Sequence, residues 1–422
     1  MPRDSFIHEA AGPQDPNWEK LIARNSKIPS REHDIRSEFE RDTTRLLHCS
    51  AFRRLKHKTQ VFPNIENDHI CTRMEHVLHV ASVSGTIANY LGLDRDLTRA
   101  ISIGHDIGHT PFGHAGEKIL EELSRYWLDG SDFWHEMNGL RFADKIELLE
   151  DFNSNVDNLG LTYAVRDGIV CHCGEVDDYA IFPREHLGDP DFDGGPNATG
   201  DPFGDLYSIS RPEQDVSVNA VTWEGCIVKI ADKIAYLGRD IEDAIELGFL
   251  GPDEIADLKT MARKYDENAM NTTVIMHNMI VDLCEHSSPD EGIRLSGKYR
   301  EQMKELMMFN YSHIYLDKRL DPYSKYARLA LEQIFERLHD YYDGEETIAN
   351  LHGSIHEYPL LIREFISFLR IYSAVDSPLR YRNVKIYGTL DSEEIYDQAI
   401  IDFIAGMTDR FAVKVYEELL KY

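Results

Sequence analysis

The 422-residue sequence is short of the features that mark secreted, membrane-spanning and fibrous proteins. Its six cysteines are too few for a disulfide scaffold in a chain of this length. No apolar run approaches the roughly 20 residues that span a bilayer. Residues 1–16 hold no apolar stretch of the kind that secretory signals carry. We therefore expect a cytoplasmic protein with no membrane segment.

Positive charge is also scarce, because 45 Lys and Arg residues face 74 Asp and Glu residues, for a formal charge of −29. A dedicated duplex-DNA binder needs a basic face, so that class is disfavoured. One basic island, FRRLKHK (52–58), contains no acidic residue. It is either a solvated helix face or a local site for a polyanion. Weak single-stranded nucleic-acid binding through 53–58 is a further alternative, which the net charge disfavours as the main role.

Strand signals are rare, whereas apolar residues at helical spacing recur along the chain. The pattern predicts an all-α protein with at most a minor β element. The best strand candidate is YRNVKIY (381–387). Helices are predicted over 34–62, 68–91, 95–108, 115–126, 135–150, 164–173, 218–247, 251–350 with breaks near 287–293 and 318–324, and 392–420.

Composition divides the chain into three parts. Residues 1–30 read as an N-terminal arm, because prolines interrupt them and no apolar period is sustained. The stretch 187–206 is rich in Gly, Pro and Asp and lacks Lys and Arg, so we expect a surface loop within an insertion over about 187–216. Whether it is a lid or an assembly contact is open. The remaining parts are a core over 31–250 and a helical region over 251–422.

The strongest chemical signal is the neighbouring pair His105-Asp106, which could offer a nitrogen and an oxygen to one cation. A lone pair of this kind is more often structural, but two further residues favour a metal site. His76 lies on the preceding predicted helix, and Asp232 ends the apolar run CIVKIAD (226–232). A carboxylate in such a run is costly to bury unless it is paired or bound to metal. This mixed set suits Mn, Mg, Fe, Co, Ni or Zn and does not choose among them.

Two further groups of residues could serve a substrate. Asp232, Tyr236, Arg239 and Asp240 stand at i, i+4, i+7 and i+8, so they share one stripe of a helix. His114 follows a glycine-rich break, and Glu117 is three residues further on, within reach of its imidazole. The alternative for His114 is a loop histidine that caps the next helix.

These motifs resemble the H…HD…D signature of the HD phosphohydrolase superfamily, and within it the deoxyguanosine triphosphate triphosphohydrolase family. The similar segments cover about 30–247 and the C-terminal helix. The run HDIGHTPFGHAGE is the most specific of them. The similar segments are SAFRRLKHKTQVF (50–62), the spacing from Arg73 to His76, HDIGHTPFGHAGE (105–117), IVKIADKIAYLGRDIEDAI (227–245) and IAGMTDRFA (404–412).

The resemblance implies an HD-domain helical core over 31–250, with 251–422 completing the core and forming an assembly surface. It implies one divalent metal ion per active site, held by His76, His105, Asp106 and Asp232. The catalytic residues would be His114, Glu117, His109 and His135; the last two could equally be hydrogen-bonded core histidines. The substrate-binding residues would be Gln60, Arg73, Lys233, Tyr236 and Asp240.

The activity that the resemblance implies is hydrolysis of dGTP, or of several dNTPs, to deoxynucleoside and inorganic triphosphate. The implied assembly is a homo-oligomer, a tetramer or hexamer, with an allosteric nucleotide in some members. Two alternatives keep the site: a nucleotidase acting on another phosphoester, and a dNTP-sensing regulator. Base preference, native metal, the allosteric site and the exact oligomer are open.

The sequence departs from the family pattern at two informative positions. Glu75 precedes the first candidate ligand where Thr is common, and Cys171 precedes His172 where a basic residue is usual. The triplet Cys171-His172-Cys173 invites a zinc interpretation. It lacks standard zinc spacing, and no second pair follows, so we disfavour it.

Overall fold

The computed structural model describes residues 3–26, 33–62, 67, 69–151, 153–172, 180–184, 205–209, 218–268, 271–375, 377–378, 381 and 384–421. Most of the 187–206 loop therefore lies outside the described residues, as does Cys173. Within the described part, strand pairing beyond isolated bridges is limited to one small hairpin. The chain is all-α, as the sequence predicts.

Eight of the described helices precede the predicted loop at 187–206. They are α1 (Trp18–Leu21), α2 (Glu38–His48), α3 (Ser50–Arg54), α4 (Arg73–Leu91), α5 (Arg95–Gly104), α6 (Gly113–Trp127), α7 (His135–Arg141) and α8 (Tyr163–Val170). A π-helical turn over Phe142–Ile146 leads into the hairpin of β1 (Leu149–Glu150) and β2 (Val156–Asp157). Leu149 pairs with Asp157, and Glu150 pairs with Val156, in antiparallel register.

The later helices pack around and beyond this group. They are α9 (Trp223–Glu246), α10 (Pro252–Tyr265), α11 (Thr272–His286), α12 (Gly297–Asn310), α13 (Asp321–His339), α14 (Thr347–Gly353), α15 (Pro359–Tyr372), α16 (Glu393–Ala405) and α17 (Asp409–Leu419). Single turns of 3₁₀-helix lie at Leu55–His57, Leu206–Ser208, Lys318–Leu320 and Gly344–Glu346, and a second π-helical turn lies at Tyr311–Tyr315.

Two hydrophobic cores share the helices α4 and α9. Val77 on α4 and Val228 on α9 belong to the larger core, which also contains residues of α5 to α8 and α13 to α17. Ile87 on α4 and Ile234 on α9 belong to the second core, together with residues of α10 to α12. Each of these two helices packs against both cores. Close packing therefore fixes the positions of the side chains that lie between α4 and α9.

Residues 3–26 pack against this helical body. The Phe6 side chain is fully buried, and its ring meets Trp223 edge to face with centroids 4.9 Å apart. The backbone N–H groups of Asp4 and Phe6 donate to the last carbonyls of α4. The N-terminal segment therefore covers the C-terminal end of α4, where carbonyl groups lack partners within the helix.

The strand prediction at 381–387 was wrong for its described residues. Val384, Tyr387 and Leu390 are buried, so burial recurs at every third residue, whereas a half-buried strand alternates. Turn bonds replace sheet bonds, since the Val384 N–H donates to the Tyr381 carbonyl and the Leu390 N–H donates to the Tyr387 carbonyl. Gly388 has a positive φ of 52°, which completes a tight turn.

Several predicted helices are divided. The region 392–420 forms α16 and α17 because Thr408 accepts a hydrogen bond from the Phe411 N–H and so caps a second helix. The region 34–62 breaks at Cys49, whose extended backbone separates α2 from α3. In 135–150 the helix ends in the π turn, and the last two residues form β1. A hydrophobic period alone does not reveal such capping breaks.

Candidate active site

Four side chains from three neighbouring helical elements converge between the two cores. His76 projects from the first turn of α4, His105 is the C-terminal cap of α5, Asp106 follows it, and Asp232 lies in the middle of α9. Nε2 of His76 lies 2.8 Å from Oδ1 of Asp232. Nε2 of His105 lies 3.5 Å from Oδ1 of Asp106 and 3.8 Å from Oδ1 of Asp232. We call this set the candidate metal cluster.

The environment of this cluster fits a cation. Nε2 of His105 is buried and has no hydrogen-bond partner, and Oδ1 of Asp232 is buried between the ring nitrogens of His76 and His105. Burial alone would raise the pKa of Asp232, but His76 and His105 outweigh it and lower that pKa to about 2. An ionised carboxylate and an unpartnered imidazole nitrogen are costly to bury, and a divalent cation relieves both costs. His76, His105 and Asp232 offer donor atoms within 4.8 Å of one another.

Glu75, one of the residues that depart from the family pattern, has a structural role at the start of α4. The Thr72 hydroxyl accepts from the Glu75 N–H, and Oε2 of Glu75 accepts from the Thr72 N–H at 2.8 Å. This reciprocal capping box fixes the first turn of the helix that carries His76. Glu75 therefore has a structural partner and leaves the candidate metal cluster unobstructed.

A buried arginine and a third histidine complete the surroundings of Asp106. Nη1 of Arg73 donates to Oδ2 of Asp106 at 3.0 Å, and Nε2 of His109 lies 3.1 Å from Oδ1. Burial alone would raise the pKa of Asp106, but His109, His105 and Arg73 hold it well below its usual range. The carboxylate is thus ionised, and Arg73 brings a positive charge to the cluster.

The turn between α5 and α6 is held by residues distant in sequence. Phe112 has a positive φ of 65°, which is unusual for a bulky residue. Its N–H donates to Oδ1 of Asp409 at 2.9 Å, and the same carboxylate accepts from the Thr59 N–H. Nζ of Lys58 donates to the carbonyls of His109 and Ala405. The C-terminal region and the basic island therefore shape the turn that carries His109 and His114.

The predicted catalytic residues form one connected group beside the candidate metal cluster. The rings of His109 and His135 stack with centroids 3.8 Å apart. Oε1 of Glu117 lies 2.9 Å from Nδ1 of His135, while Oε2 lies 3.5 Å from Nδ1 of His114. Glu117 therefore contacts both histidines, and the shorter contact is to His135.

The three histidines of this group differ in exposure and charge. The side chain of His114 is 72% exposed, whereas those of His109 and His135 are buried. Burial alone would lower the pKa of His135, but the carboxylates of Glu117 and Glu136 raise it to about 9. Burial and Arg73 lower the pKa of His109 well below its usual range. At neutral pH His135 is charged and His109 is neutral, and His114 is the histidine that solvent or substrate reaches.

The structure also bears on the alternative role of His114 as a loop histidine that caps the next helix. It lies inside the first turn of α6, which begins at Gly113, and the cap residue Phe112 makes no side-chain cap bond. A histidine that caps a helix starting at Ala115 is therefore not what the structure describes.

The stripe predicted on α9 leads away from the candidate metal cluster. Lys233 and Asp240 are buried, and Tyr236 is partly buried between them along the helix. Oδ2 of Asp240 accepts from the Tyr315 hydroxyl at 2.6 Å, while its Oδ1 is buried without a partner. Burial raises the pKa of Asp240 to about 7. Arg239 of the same stripe donates from Nη1 to Oε2 of Glu242 at 3.0 Å.

Gln60 lies beside Arg73. Its carbonyl accepts from Nη2 of Arg73 at 3.4 Å, and its side-chain Oε1 is buried without a hydrogen-bond partner. The remainder of the basic island is dispersed, because Lys58 is internal and Arg54 pairs with Glu147 at 2.7 Å. Arg53 and Lys56 are its exposed cations, which leaves little basic surface for a nucleic acid.

Sequence reasoning did not assign two residues that the structure brings to the site. His172 follows α8, is 3% exposed, and its ring centroid lies 4.9 Å from that of His105. Tyr315 lies in the second π-helical turn and reaches Asp240. The sequence signal for His172 was present in the Cys-His-Cys triplet. Of its two cysteines the structure describes Cys171, whose Sγ accepts from Nη1 of Arg184 at 3.3 Å.

Comparisons with known proteins identify two domains in this chain. Residues 73–237 match the HD domain, and residues 386–418 match the phosphohydrolase-associated domain. The HD domain begins at the first residue of α4 and ends within α9, so it contains the whole candidate metal cluster. The chain therefore contains an HD domain, and the His and Asp side chains brought together within it could hold a divalent metal ion.

The relatives define the class further. A protein of Caldanaerobacter subterraneus subsp. tengcongensis is 31% identical over 401 residues, which cover 94% of this chain and 90% of the relative. Proteins of Desulfatibacillum aliphaticivorans and Thiobacillus denitrificans are 30% and 28% identical, over 94% and 96% of this chain. All three are named deoxyguanosinetriphosphate triphosphohydrolase-like proteins. This chain belongs to the deoxyguanosinetriphosphate triphosphohydrolase-like family.

The matches extend over 251–390, where the sequence motifs gave no resemblance.

Among the helices that the structure describes, none combines the length and apolar character needed to cross a membrane.

Proposed function

We propose that this protein hydrolyses deoxynucleoside triphosphates to deoxynucleoside and inorganic triphosphate. The observation that carries the proposal is that one helix, α9, presents a candidate metal ligand and a buried carboxyl acceptor on the same face. Asp232 lies in the candidate metal cluster, and Asp240 lies eight residues further along the same face, about 12 Å along the helix axis. That length accommodates a phosphate group and a sugar, and it agrees with the printed names of the relatives.

The sugar end of the site has a hydrogen-bond acceptor held in place. Tyr315 fixes one oxygen of Asp240 and leaves Oδ1, a buried atom without a partner, to accept from a sugar hydroxyl. We assign this contact to the 3′-hydroxyl of a deoxyribose. Tyr236 is one turn before Asp240 on the same stripe, and we assign to it the exclusion of a 2′-hydroxyl.

Three basic side chains belong to the phosphate end of the site. Arg73 donates to Asp106, Lys233 follows Asp232 along α9, and the pKa of His135 is raised to about 9. A divalent cation held by the cluster would act as a Lewis acid on a phosphate oxygen or would lower the pKa of a bound water. Arg73 and Lys233 offset the charge that develops on phosphorus in the transition state.

His114 is placed to handle the leaving group. Its Nδ1 faces Glu117, so the other ring nitrogen is directed to the exposed side. Water oxygen bonds to the α-phosphorus and loses a proton to solvent, the bond from phosphorus to the 5′-oxygen breaks, and protonated His114 gives that oxygen a proton. The products are then deoxynucleoside and intact triphosphate.

The direct test is to incubate the purified protein with each dNTP and Mn²⁺ or Mg²⁺ and to resolve the products by ion-exchange chromatography. Deoxynucleoside and triphosphate in equal amounts support the proposal, and the rates give the base preference. A His105→Gln variant purified in the same way reports contaminating phosphatase. Release of pyrophosphate or orthophosphate by the wild type alone would reject the triphosphohydrolase assignment and favour a nucleotidase. If single dNTPs are inert, mixtures test for a nucleotide activator.

A further inference from the structure

His172 occupies a position that none of the family motifs above assigns. It follows the end of α8, and its imidazole is buried beside the candidate metal cluster. Nδ1 of the ring lies 2.7 Å from the carbonyl of Ile169. A carbonyl can only accept, so Nδ1 carries the hydrogen and Nε2 keeps a free electron pair.

The same local arrangement occurs at His105. Nδ1 of His105 lies 2.7 Å from the carbonyl of Ser102, again three residues earlier and again at the C-terminal end of a buried helix. Metal-bound histidines usually donate their second ring N–H to a carbonyl or carboxylate in this way, which fixes the tautomer. His172 and His105 are therefore prepared alike, each with Nε2 as the donor atom.

The two donor atoms face a common space. Ring nitrogens of His105 and His172 and a carboxylate oxygen of Asp106 lie within 4.8 Å of one another. Donors that lie about 2.0–2.2 Å from one cation are no more than about 4.4 Å apart. These three atoms must therefore move towards one another when they bind the same cation.

We propose that His172 is a fifth protein donor to the metal of this site, through Nε2. The inference rests on the proposed metal site and adds to it. Three imidazoles and two carboxylates would leave an octahedral ion with one position for a phosphate oxygen. The added nitrogen favours Mn, Fe, Co or Ni over Mg, because Mg²⁺ prefers oxygen donors.

The experiment measures metal binding without turnover. Metal-free wild type and His172→Gln are titrated with Co²⁺ by calorimetry and visible absorption, and then with Mg²⁺. We expect His172→Gln to weaken Co²⁺ binding at least tenfold, to change the visible bands, and to affect Mg²⁺ binding less. His286→Gln is the matched control, because its Nδ1 also lies near a carbonyl at a helix end, 2.9 Å from that of Asp282, on a partly exposed side chain.

Two further measurements make the result decisive. His105→Gln is the positive control: if it also leaves Co²⁺ affinity unchanged, the metal site itself is wrong, whereas an effect of His105→Gln without one of His172→Gln overturns only the present inference. Electron–nuclear double resonance of the Mn²⁺-loaded wild type with ¹⁵N-histidine counts bound imidazoles without any variant. Three couplings support the inference, and two contradict it even where His172→Gln fails to fold.

Discussion

Glu224 links three separate parts of the fold through one buried carboxyl group. It lies in the first turn of α9 and is fully buried. Its Oε1 accepts from the Ala11 N–H at 3.0 Å and from the Asp94 N–H at 2.9 Å. The N-terminal segment and the start of α5 are thereby attached to the helix that carries the candidate substrate residues. Burial raises the pKa of this carboxyl to about 7.

The raised pKa of Glu224 predicts a loss of stability in alkaline solution. A rise from 4.5 to about 7 corresponds to about 3 kcal/mol at most, because the folded state binds the proton more tightly than the unfolded state. This contribution is fully present below pH 4.5 and is lost as the pH rises through about 7. Glu224→Gln keeps an acceptor oxygen and removes the charge, so we expect it to match the wild type near pH 5 and to exceed its unfolding free energy by about 1–3 kcal/mol near pH 8.5.

The assay is urea unfolding of both proteins between pH 5 and pH 9, followed by circular dichroism. Glu254→Gln is the matched control, since its carboxylate accepts from the Gly251 N–H at the start of an exposed helix. The control should show no gain at high pH. A Glu224→Gln protein that is less stable than the wild type at every pH would refute the reasoning, because it would mean that the folded state favours the charged carboxylate.

Three further predictions concern the candidate site and its support. His114→Ala should lower kcat by on the order of 10²–10⁴ while metal content measured by mass spectrometry is unchanged, and full activity would remove His114 from the mechanism. Asp240→Ala removes the acceptor and should reduce the ratio of kcat/KM for a dNTP to that for the 2′,3′-dideoxynucleotide at least tenfold, and an unchanged ratio would exclude the 3′-hydroxyl contact. Asp409→Ala should lower the free energy of unfolding by about 2–4 kcal/mol, since it leaves the N–H groups of Thr59 and Phe112 without an acceptor. A loss below about 1 kcal/mol in urea unfolding would contradict that role.

The parts of the fold that depend on local pattern could be predicted from the sequence. The long helices α4 and α9 have apolar residues at helical spacing and capping residues before them, Thr72 and Thr222. His105 and Asp106 are neighbours in the chain, so their side chains are necessarily close together. This pair could therefore be predicted as part of a metal site. The spacing from Asp232 to Asp240 likewise fixes a shared helix face, and the structure keeps both on α9.

The parts that depend on distant contacts could not be predicted. The turn at 384–390 follows the surface of α15, where the Tyr387 N–H donates to the Tyr372 carbonyl. Its apolar residues resemble a strand until that contact is known. Similarly, Tyr315 reaches Asp240 across 75 positions of the chain. No periodicity in one sequence encodes such a pairing.

His172 lies in a local pattern that does not reveal its partners. Its flanking cysteines suggest a zinc site made from neighbouring residues, whereas the fold turns Cys171 towards Arg184 and His172 towards His105. Consecutive residues after a helix end point in different directions. The partner of each side chain is therefore decided by tertiary packing.

The measurement that tests the central claim most directly is hydrolysis of dGTP and the other dNTPs in ¹⁸O-labelled water, with products analysed by mass spectrometry. Attack at the α-phosphorus with loss of the 5′-oxygen predicts one ¹⁸O atom in triphosphate and none in the deoxynucleoside. Label in the deoxynucleoside, in pyrophosphate or in orthophosphate would contradict the account, because each requires a different bond to break.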